Sequence, residues 1–202
     1  MSKNKELFIG SSKEGLRYAR RLKKLLDSEL CKYGIKCTLW EEDGVFLLGR
    51  ATIENLCKKG MELRNNNGYA LMIMTPDDEV KIRGETKYAP RDNVIFEMGL
   101  FLGYLGRERT YCVFPSNKNI KLMSDWSGIT NATYKYAKTA RNIDQRLEMA
   151  VHAIVCTIDS IEHPKVNNVT FNDITKNSDI DDSEVTRKIF RIIENNIDKK
   201  EK

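Results

Sequence analysis

Residues 90–103, PRDNVIFEMGLFLG, set Glu97 within a run that is otherwise almost wholly apolar. Pro90 followed by Asp92 and Asn93 is typical of a helix start. The apolar side chains cover most of the circumference of such a helix, which predicts a largely buried element. A buried charge is costly unless it has a partner or a task. We therefore interpret Glu97 either as a functional carboxylate beside a polar pocket or as the partner of an arginine.

Short apolar runs alternate with amphipathic segments along the rest of the chain. The runs at residues 7–9, 35–40, 69–74, 111–114 and 133–136 predict strands. The segments at 16–31, with Ser12 as a cap, and at 51–63, 90–105 and 143–161 predict helices. Residues 75–89 are predicted to form a long polar loop. This alternation indicates an α/β fold, a parallel sheet with helices on both faces.

Ligands of such sheets bind beyond the carboxyl ends of the strands. The loops that the sequence predicts at that edge are residues 10–12, 41–49, 75–89 and 115–131. The loop at 75–89 leads into the helix of Glu97. The topology therefore places Glu97 and these loops at one edge of the sheet.

The predicted domain spans residues 1–163, and residues 164–202 have a different character. Residues 164–182 resemble a polar linker. An amphipathic helix is predicted from Asp181, with apolar side chains on one side at Val185, Ile189, Ile192, Ile193 and Ile197. This tail either docks on the domain or serves self-association or a partner.

Composition narrows the function classes. The 202 residues carry a net charge of +5, but the basic side chains are scattered, which argues against nucleic-acid binding. No apolar run approaches the roughly 18 residues of a membrane span. The two histidines and five widely spaced cysteines lack zinc-motif spacing, so we predict no metal site and reduced, buried thiols in a cytoplasmic protein.

Four motifs in order resemble a known family. They are LFIGSS at residues 7–12 with Glu14-Gly15, Trp40 with Gly44-Val45-Phe46, TPDD at 75–78 with Arg83-Gly84-Glu85, and PRDNVIFEMGLFLGYLGRERT at 90–110. This set is similar to bacterial TIR (Toll/interleukin-1 receptor) domains that act as effectors of cyclic-nucleotide-triggered anti-phage defence, of the CBASS, Pycsar or TIR-STING type. The similarity extends from about residue 5 to residue 160. It implies a flavodoxin-like fold with a five-stranded parallel sheet.

The resemblance also implies an activity. It assigns Glu97 as the catalytic residue of NAD+ cleavage, which gives nicotinamide and ADP-ribose or a cyclised form. NAD+ is then the substrate and no cofactor is implied. Activity is expected to need TIR–TIR homo-oligomers, and a cyclic-nucleotide sensor is expected on another chain. We expect burial to raise the pKa of Glu97, with Arg91 as a counterweight, and the carboxyl to stay largely ionised at neutral pH.

The resemblance also implies further binding residues, by their position in the motifs. Each of them has a purely structural role as its alternative. Gly10, Ser11 and Ser12 are candidates for ribose or phosphate contacts, with N-capping as the alternative. Trp40 and Phe46 either stack on nicotinamide or adenine or pack in the core.

Four charged side chains and one amide complete the candidate set, which is Asp77, Asp78, Arg83, Arg91 and Asn93. The aspartates either bind ribose hydroxyls or form a turn. The arginines either pair with the pyrophosphate or lie at the surface, and Arg91 has a bridge to Asp92 or Glu97 as its alternative. Asn93 is either a ribose contact or a first-turn residue.

Two other functions remain open from the sequence. One is a non-catalytic TIR adaptor that only scaffolds other TIR domains. The other is a nucleotide-binding protein or an enzyme that resembles the (deoxy)ribosyltransferases.

Overall fold

The computed structural model describes residues 5–47, 49, 51–121, 131–139 and 141–164. In chain order its elements are β1 (Lys5–Ser11), α1 (Leu16–Leu30), β2 (Ile35–Leu39), α2 (Thr52–Asn65), β3 (Tyr69–Ile73), β4 (Asp78–Ile82), β5 (Glu85–Ala89), α3 (Asp92–Leu105), β6 (Thr110–Pro115), β7 (Ala132–Tyr134) and α4 (Ile143–Glu162). Single turns of 3-10 helix follow α1 and α3.

Five strands form one parallel sheet in the order β2-β1-β3-β6-β7. The central strand β3 is buried over its whole length, as its continuous apolar run predicts. This architecture confirms the predicted α/β fold with five parallel strands and helices around them.

Two apolar clusters lie on opposite faces of the sheet. Leu7 and Ile9 of β1 face a cluster with α1 and α4, whereas Phe8 faces one with α2 and α3. This division follows from the alternation of side chains along a strand. The helix α3 therefore lies on the same face as α2.

The prediction of a polar loop at 75–89 is wrong, because these residues contain the antiparallel hairpin β4–β5. Arg83 and Gly84 form its two-residue turn, with φ of 51° and 85°. Positive φ at both positions matches the twist of hairpin strands. Arg83 is one of two non-glycine residues with positive φ in the described part of the chain.

The helix of Glu97 is less buried than its sequence predicts. It begins at Asp92, so Pro90 precedes it by two residues instead of opening it. Val94, Met98 and Phe101 face inward at helical spacing, while Phe96 is 58% exposed. The all-round apolar pattern overestimates burial because only one side of α3 packs on the sheet.

Three further expectations from the sequence can be compared with the structure. Ser12 does not cap α1 directly, since its Oγ accepts a hydrogen bond from the Gly15 N–H before the helix begins. The thiols of Cys37 and Cys112 are buried as predicted, but those of Cys31 and Cys156 are exposed. Within the described ranges, no helix has the length and hydropathy to cross a membrane. The tail was predicted at 164–202; its residues 165–202 lie outside the described residues, so it stays a prediction.

Candidate active site

Hydrogen bonds join the three loops that follow β1, β2 and β3 at the carboxyl edge of the sheet. The Trp40 indole Nε1–H donates to Ser11 Oγ at 3.1 Å. The hydroxyls of Ser12 and Thr75 lie 3.0 Å apart and share one hydrogen bond. Both serines are buried, and Trp40 is half-buried. The structure thus brings three of the predicted binding residues together, and it adds Thr75, which the sequence analysis missed.

Gly10 has a packing reason of its own. It lies inside β1 opposite Met72 of β3. A Cβ at this position would lie 2.4 Å from the Met72 Cε, far inside van der Waals contact. The end of the Met72 side chain fills the space that a Cβ would take, so a larger residue here would displace it, and the predicted contact of Gly10 with substrate stays a prediction.

Arg91 links three loops through charged partners. Its guanidinium donates to Glu14 Oε1 at 2.6 Å and to Asp78 Oδ1 at 2.8 Å, and its backbone N–H donates to Asp77 Oδ2 at 3.3 Å. The alternative considered for Arg91 was a bridge to Asp92 or Glu97, and the partners found among the described residues are Glu14 and Asp78 instead. Glu14 belongs to the motif after β1, but the sequence analysis gave it no role because its partner lies 77 positions away.

The ion pair with Arg91 favours the ionised form of Glu14. The hydrogen bond from Arg91 holds the pKa of the Glu14 carboxyl below its ordinary value. Both side chains are more than 40% exposed, so the pair is screened by solvent. The cluster holds a cation and carboxylates in one place, at the start of α3.

Glu97 lies on the second turn of α3 in a different environment. It is half-buried and shares its side of the helix with the buried Val94 and Phe101, which are three and four positions away. Among the described residues, its carboxylate has no ion pair or side-chain hydrogen bond. Burial raises the pKa of Glu97 to about 7. The direction of this shift agrees with the expected effect of burial, while the degree of ionisation of Glu97 at neutral pH stays a prediction.

Aromatic side chains from the loop after β2 reach the apolar cluster beneath Glu97. Trp40 and Phe46 are both half-buried and pack against the cluster that includes Val94 and Phe101. The Phe101 ring in turn lies 5.1 Å from the Phe8 ring of β1, measured between centroids. Core packing thus accounts for part of each aromatic surface, and the exposed remainder is available to a ligand.

Two candidates lie apart from these contacts. Arg83 is exposed at the tip of the β4–β5 hairpin, five residues from Asp78, or about 16 Å along an extended strand. Asn93 is exposed in the first turn of α3, where its backbone N–H donates to Asp92 Oδ1 at 2.7 Å. The structure does not bring either side chain into the networks of Ser11 or Arg91.

The edge also contains a buried tyrosine that the sequence analysis missed. The Tyr134 hydroxyl, from β7, donates to the Met74 carbonyl oxygen at 3.1 Å. Its side chain crosses beneath the segment that follows β3. A tyrosine in a weak edge strand carries no local signal for such a contact.

The family model for the TIR domain of CAP12/Pycsar effector proteins matches residues 6–136. This match covers β1 to β7 and every candidate residue of the site. The chain belongs to this TIR family. The resemblance to bacterial TIR effectors of anti-phage defence is therefore confirmed.

Relatives of this TIR domain include the Pycsar effector protein PaPycTIR from Pseudomonas aeruginosa, 36% identical over 148 residues, or 73% of this chain and 45% of that protein. CD-NTase-associated protein 12 from Niabella drilacis is 36% identical over 134 residues, 64% of this chain and 39% of that protein. The same-named protein from Flavobacterium daejeonense is 40% identical over 124 residues, 61% of this chain and 36% of that protein. The chain thus spans less than half the length of these curated relatives.

Proposed function

We propose that this TIR domain is an NAD+ glycohydrolase in anti-phage defence and that Glu97 is its catalytic residue. The observation that carries the proposal is the half-buried Glu97 carboxylate, which lacks a cationic partner among the described residues. An unpaired carboxylate beside apolar walls attracts a developing cation more strongly than one already neutralised by arginine. The carboxylates of Glu14 and Asp78, which pair with Arg91, are less suited to that role.

The chemistry needs one carboxylate and no general acid. Nicotinamide leaves NAD+ from a cationic pyridinium, so the C–N bond breaks with its electron pair going to the ring nitrogen. The ribose then develops oxocarbenium character, as in glycoside cleavage. Ionised Glu97 stabilises that cation or traps it covalently. Water adds to the sugar and gives ADP-ribose and a proton, whereas attack by the adenine base gives a cyclised product.

The carboxyl edge supplies the proposed substrate contacts. The hydroxyls of Ser11 and Ser12 and the backbone of Gly10 contact ribose or phosphate, and Trp40 and Phe46 offer ring faces to a base. Asp77 and Asp78 take ribose hydroxyls, with Asn93 nearby in the chain. Arg91 pairs with the pyrophosphate by exchanging Glu14 for a phosphate oxygen. Arg83 reaches the substrate only if the hairpin tip bends toward it.

Self-association completes the proposal. Large apolar side chains are exposed on the α2–α3 layer, namely Ile53, Met61 and Phe96. Exposed apolar groups on one layer favour contact with another copy. We propose TIR–TIR homo-oligomers as the active form in the cytoplasm, switched on by a partner that senses a cyclic nucleotide. No cofactor is needed.

The test is nicotinamide release from NAD+ by the full chain, at low and high protein concentration, with and without cyclic nucleotides. We expect the rate per subunit to rise with concentration, and Glu97→Gln to lower it at least about 100-fold. Glu148→Gln, an exposed glutamate on α4, is the matched control and should keep the wild-type rate. Circular dichroism checks that both variants fold.

Three outcomes contradict the proposal. If Glu97→Gln releases nicotinamide at the wild-type rate, Glu97 is not the catalytic residue. No release under any condition favours a non-catalytic adaptor. Transfer of ribosyl groups to an added base, with NAD+ untouched, favours a ribosyltransferase-like enzyme.

A further inference from the structure

The exposed face of α4 carries a thiol and an imidazole one helical turn apart. The Cys156 Sγ lies 3.8 Å from Nδ1 and 3.7 Å from Nε2 of His152. Both side chains are exposed. The exposed imidazole has to turn about its side-chain torsions to direct one of its nitrogens toward an ion beside the sulfur.

This separation is the one that a shared zinc ion requires. Bonds of about 2.3 Å to sulfur and 2.0–2.1 Å to nitrogen, at a tetrahedral angle, place the two ligand atoms about 3.6 Å apart. The helix therefore holds the pair at ligand distance without any backbone change. Thiolate and imidazole are also ligands that suit zinc.

One chain supplies too few ligands for a closed site. A structural zinc ion takes four ligands, and within the described residues no group of three or more His, Cys, Asp or Glu side chains can hold a metal. The nearby Asp159 is already engaged by the Tyr33 hydroxyl at 2.7 Å and by His163 at 3.2 Å. The two remaining ligands therefore have to come from another molecule.

The surroundings of the pair allow another copy to approach. Residues 149–158, MAVHAIVCTI, contain no Lys, Arg, Asp or Glu. On the exposed face the side chains are small or apolar at Ala153, Thr157 and Met149, which is 70% exposed. Interfaces between proteins are depleted of charge at their centre, and this face meets that condition.

We propose that His152 and Cys156 bind a zinc ion together with the same two residues of a second copy, joining two chains across α4. A two-fold axis through the ion makes the contact self-complementary. Each thiol binds as thiolate and releases its proton to solvent, so two thiolates balance the charge of the ion. The site departs from the sequence prediction of no metal, which considered ligand sets within one chain.

The test uses the full chain, freed of metal with a chelator and titrated with zinc alone. We expect one zinc ion for every two chains and a doubling of the mass measured by light scattering, which a chelator reverses. Cobalt in place of zinc should give the visible absorption of a tetrahedral site with thiolate ligands. His152→Gln and Cys156→Ser should each lose the zinc-dependent doubling.

Matched controls separate this pair from zinc binding at other exposed groups. Cys31→Ser and His163→Gln, which remove an exposed thiol and an exposed imidazole elsewhere, should dimerise with zinc like the wild type. No zinc binding at micromolar concentration, one ion per chain in a monomer, or doubling that survives Cys156→Ser would overturn the proposal. These readouts need no NAD+, and Glu97→Gln should respond to zinc like the wild type.

Discussion

Glu14 lies in the loop after β1 and Glu97 lies on the helix α3, and their pKa values move in opposite directions. Glu14 is exposed and accepts a hydrogen bond from Arg91, which lowers its pKa. Glu97 is half-buried without such a pair among the described residues, and burial raises its pKa to about 7. The environment, and not the residue type, thus decides which of the two carboxyl groups has its pKa near neutral pH.

The carboxylates of Glu14 and Glu97 also differ in how strongly they can attract a cationic group of a substrate. The charge of Glu14 is compensated before any ligand arrives, so it costs the fold little. Within the described part of the chain nothing compensates the charge of Glu97, so a cationic group placed beside it gains from the attraction and favours the ionised form of the carboxyl. Three experiments on this pair follow, from the largest expected effect to the smallest.

The largest effect is expected in the pH dependence of NAD+ cleavage. In the proposed mechanism the ionised form of Glu97 is the active one, so protonation below pH 7 should lower kcat/KM about tenfold per pH unit. Between pH 5 and pH 8 the rise should total about 100-fold, with a plateau above the pKa. Initial rates of nicotinamide release measure it. Glu14→Gln should keep the midpoint, whereas a flat wild-type profile would contradict the assignment of Glu97.

A smaller effect is expected in stability, with opposite signs at the two glutamates. The folded-state pKa of Glu97 is raised from 4.5 to about 7, so its ionisation destabilises the fold increasingly as the pH rises between these values. At pH 8, Glu97→Gln should raise the free energy of unfolding by about 1–2 kcal/mol, reduced from the full shift because the group is only half-buried. Below pH 4.5 the gain should vanish.

Urea unfolding at pH 4 and pH 8 measures this difference. Glu14→Gln is the matched comparison and should lower the free energy of unfolding at pH 8 by at most about 1 kcal/mol. A loss of stability in Glu97→Gln at pH 8 would show that the carboxylate has a stabilising partner.

The smallest effect is expected in the coupling between Glu14 and Arg91. A double-mutant cycle with Glu14→Gln and Arg91→Gln should give a small favourable coupling free energy, since both side chains are exposed. At about 1 M NaCl the coupling should fall toward zero because the salt screens exposed charges. A large coupling that persists in salt would mean that the pair is desolvated, contrary to the structure.

Most of the fold was predictable from the sequence because strand and helix periods are local. Apolar runs predicted the strands β1 and β3, and apolar side chains at helical spacing predicted the helices α1 and α4. Their order along the chain follows directly. The hairpin β4–β5 was missed because its strands are only half-buried and its turn is Arg83-Gly84 in place of the commoner Asn-Gly. The burial of Phe96 was overestimated because a period does not say which side of a helix meets the sheet.

The candidate site was predictable only residue by residue. The motifs proposed Glu97, Ser11, Ser12 and Arg91, and their roles in binding and catalysis stay predictions. The sequence analysis could not pair Arg91 with Glu14, nor connect Trp40 to Ser11, because these contacts span 77 and 29 positions. Contacts of this kind depend on how loops converge at one edge of the sheet, which no local pattern encodes.

The sequence by itself determined the α/β class, the order of the five sheet strands and four helices along the chain, and the placement of one glutamate in an apolar helix. These features follow from burial of apolar side chains, whose spacing is written along the chain. Only the tertiary structure decided that Arg91 is held by Glu14 and Asp78 and that Glu97 is left half-buried with a raised pKa. Charge and proton affinity depend on distances through space, and folding alone sets those distances.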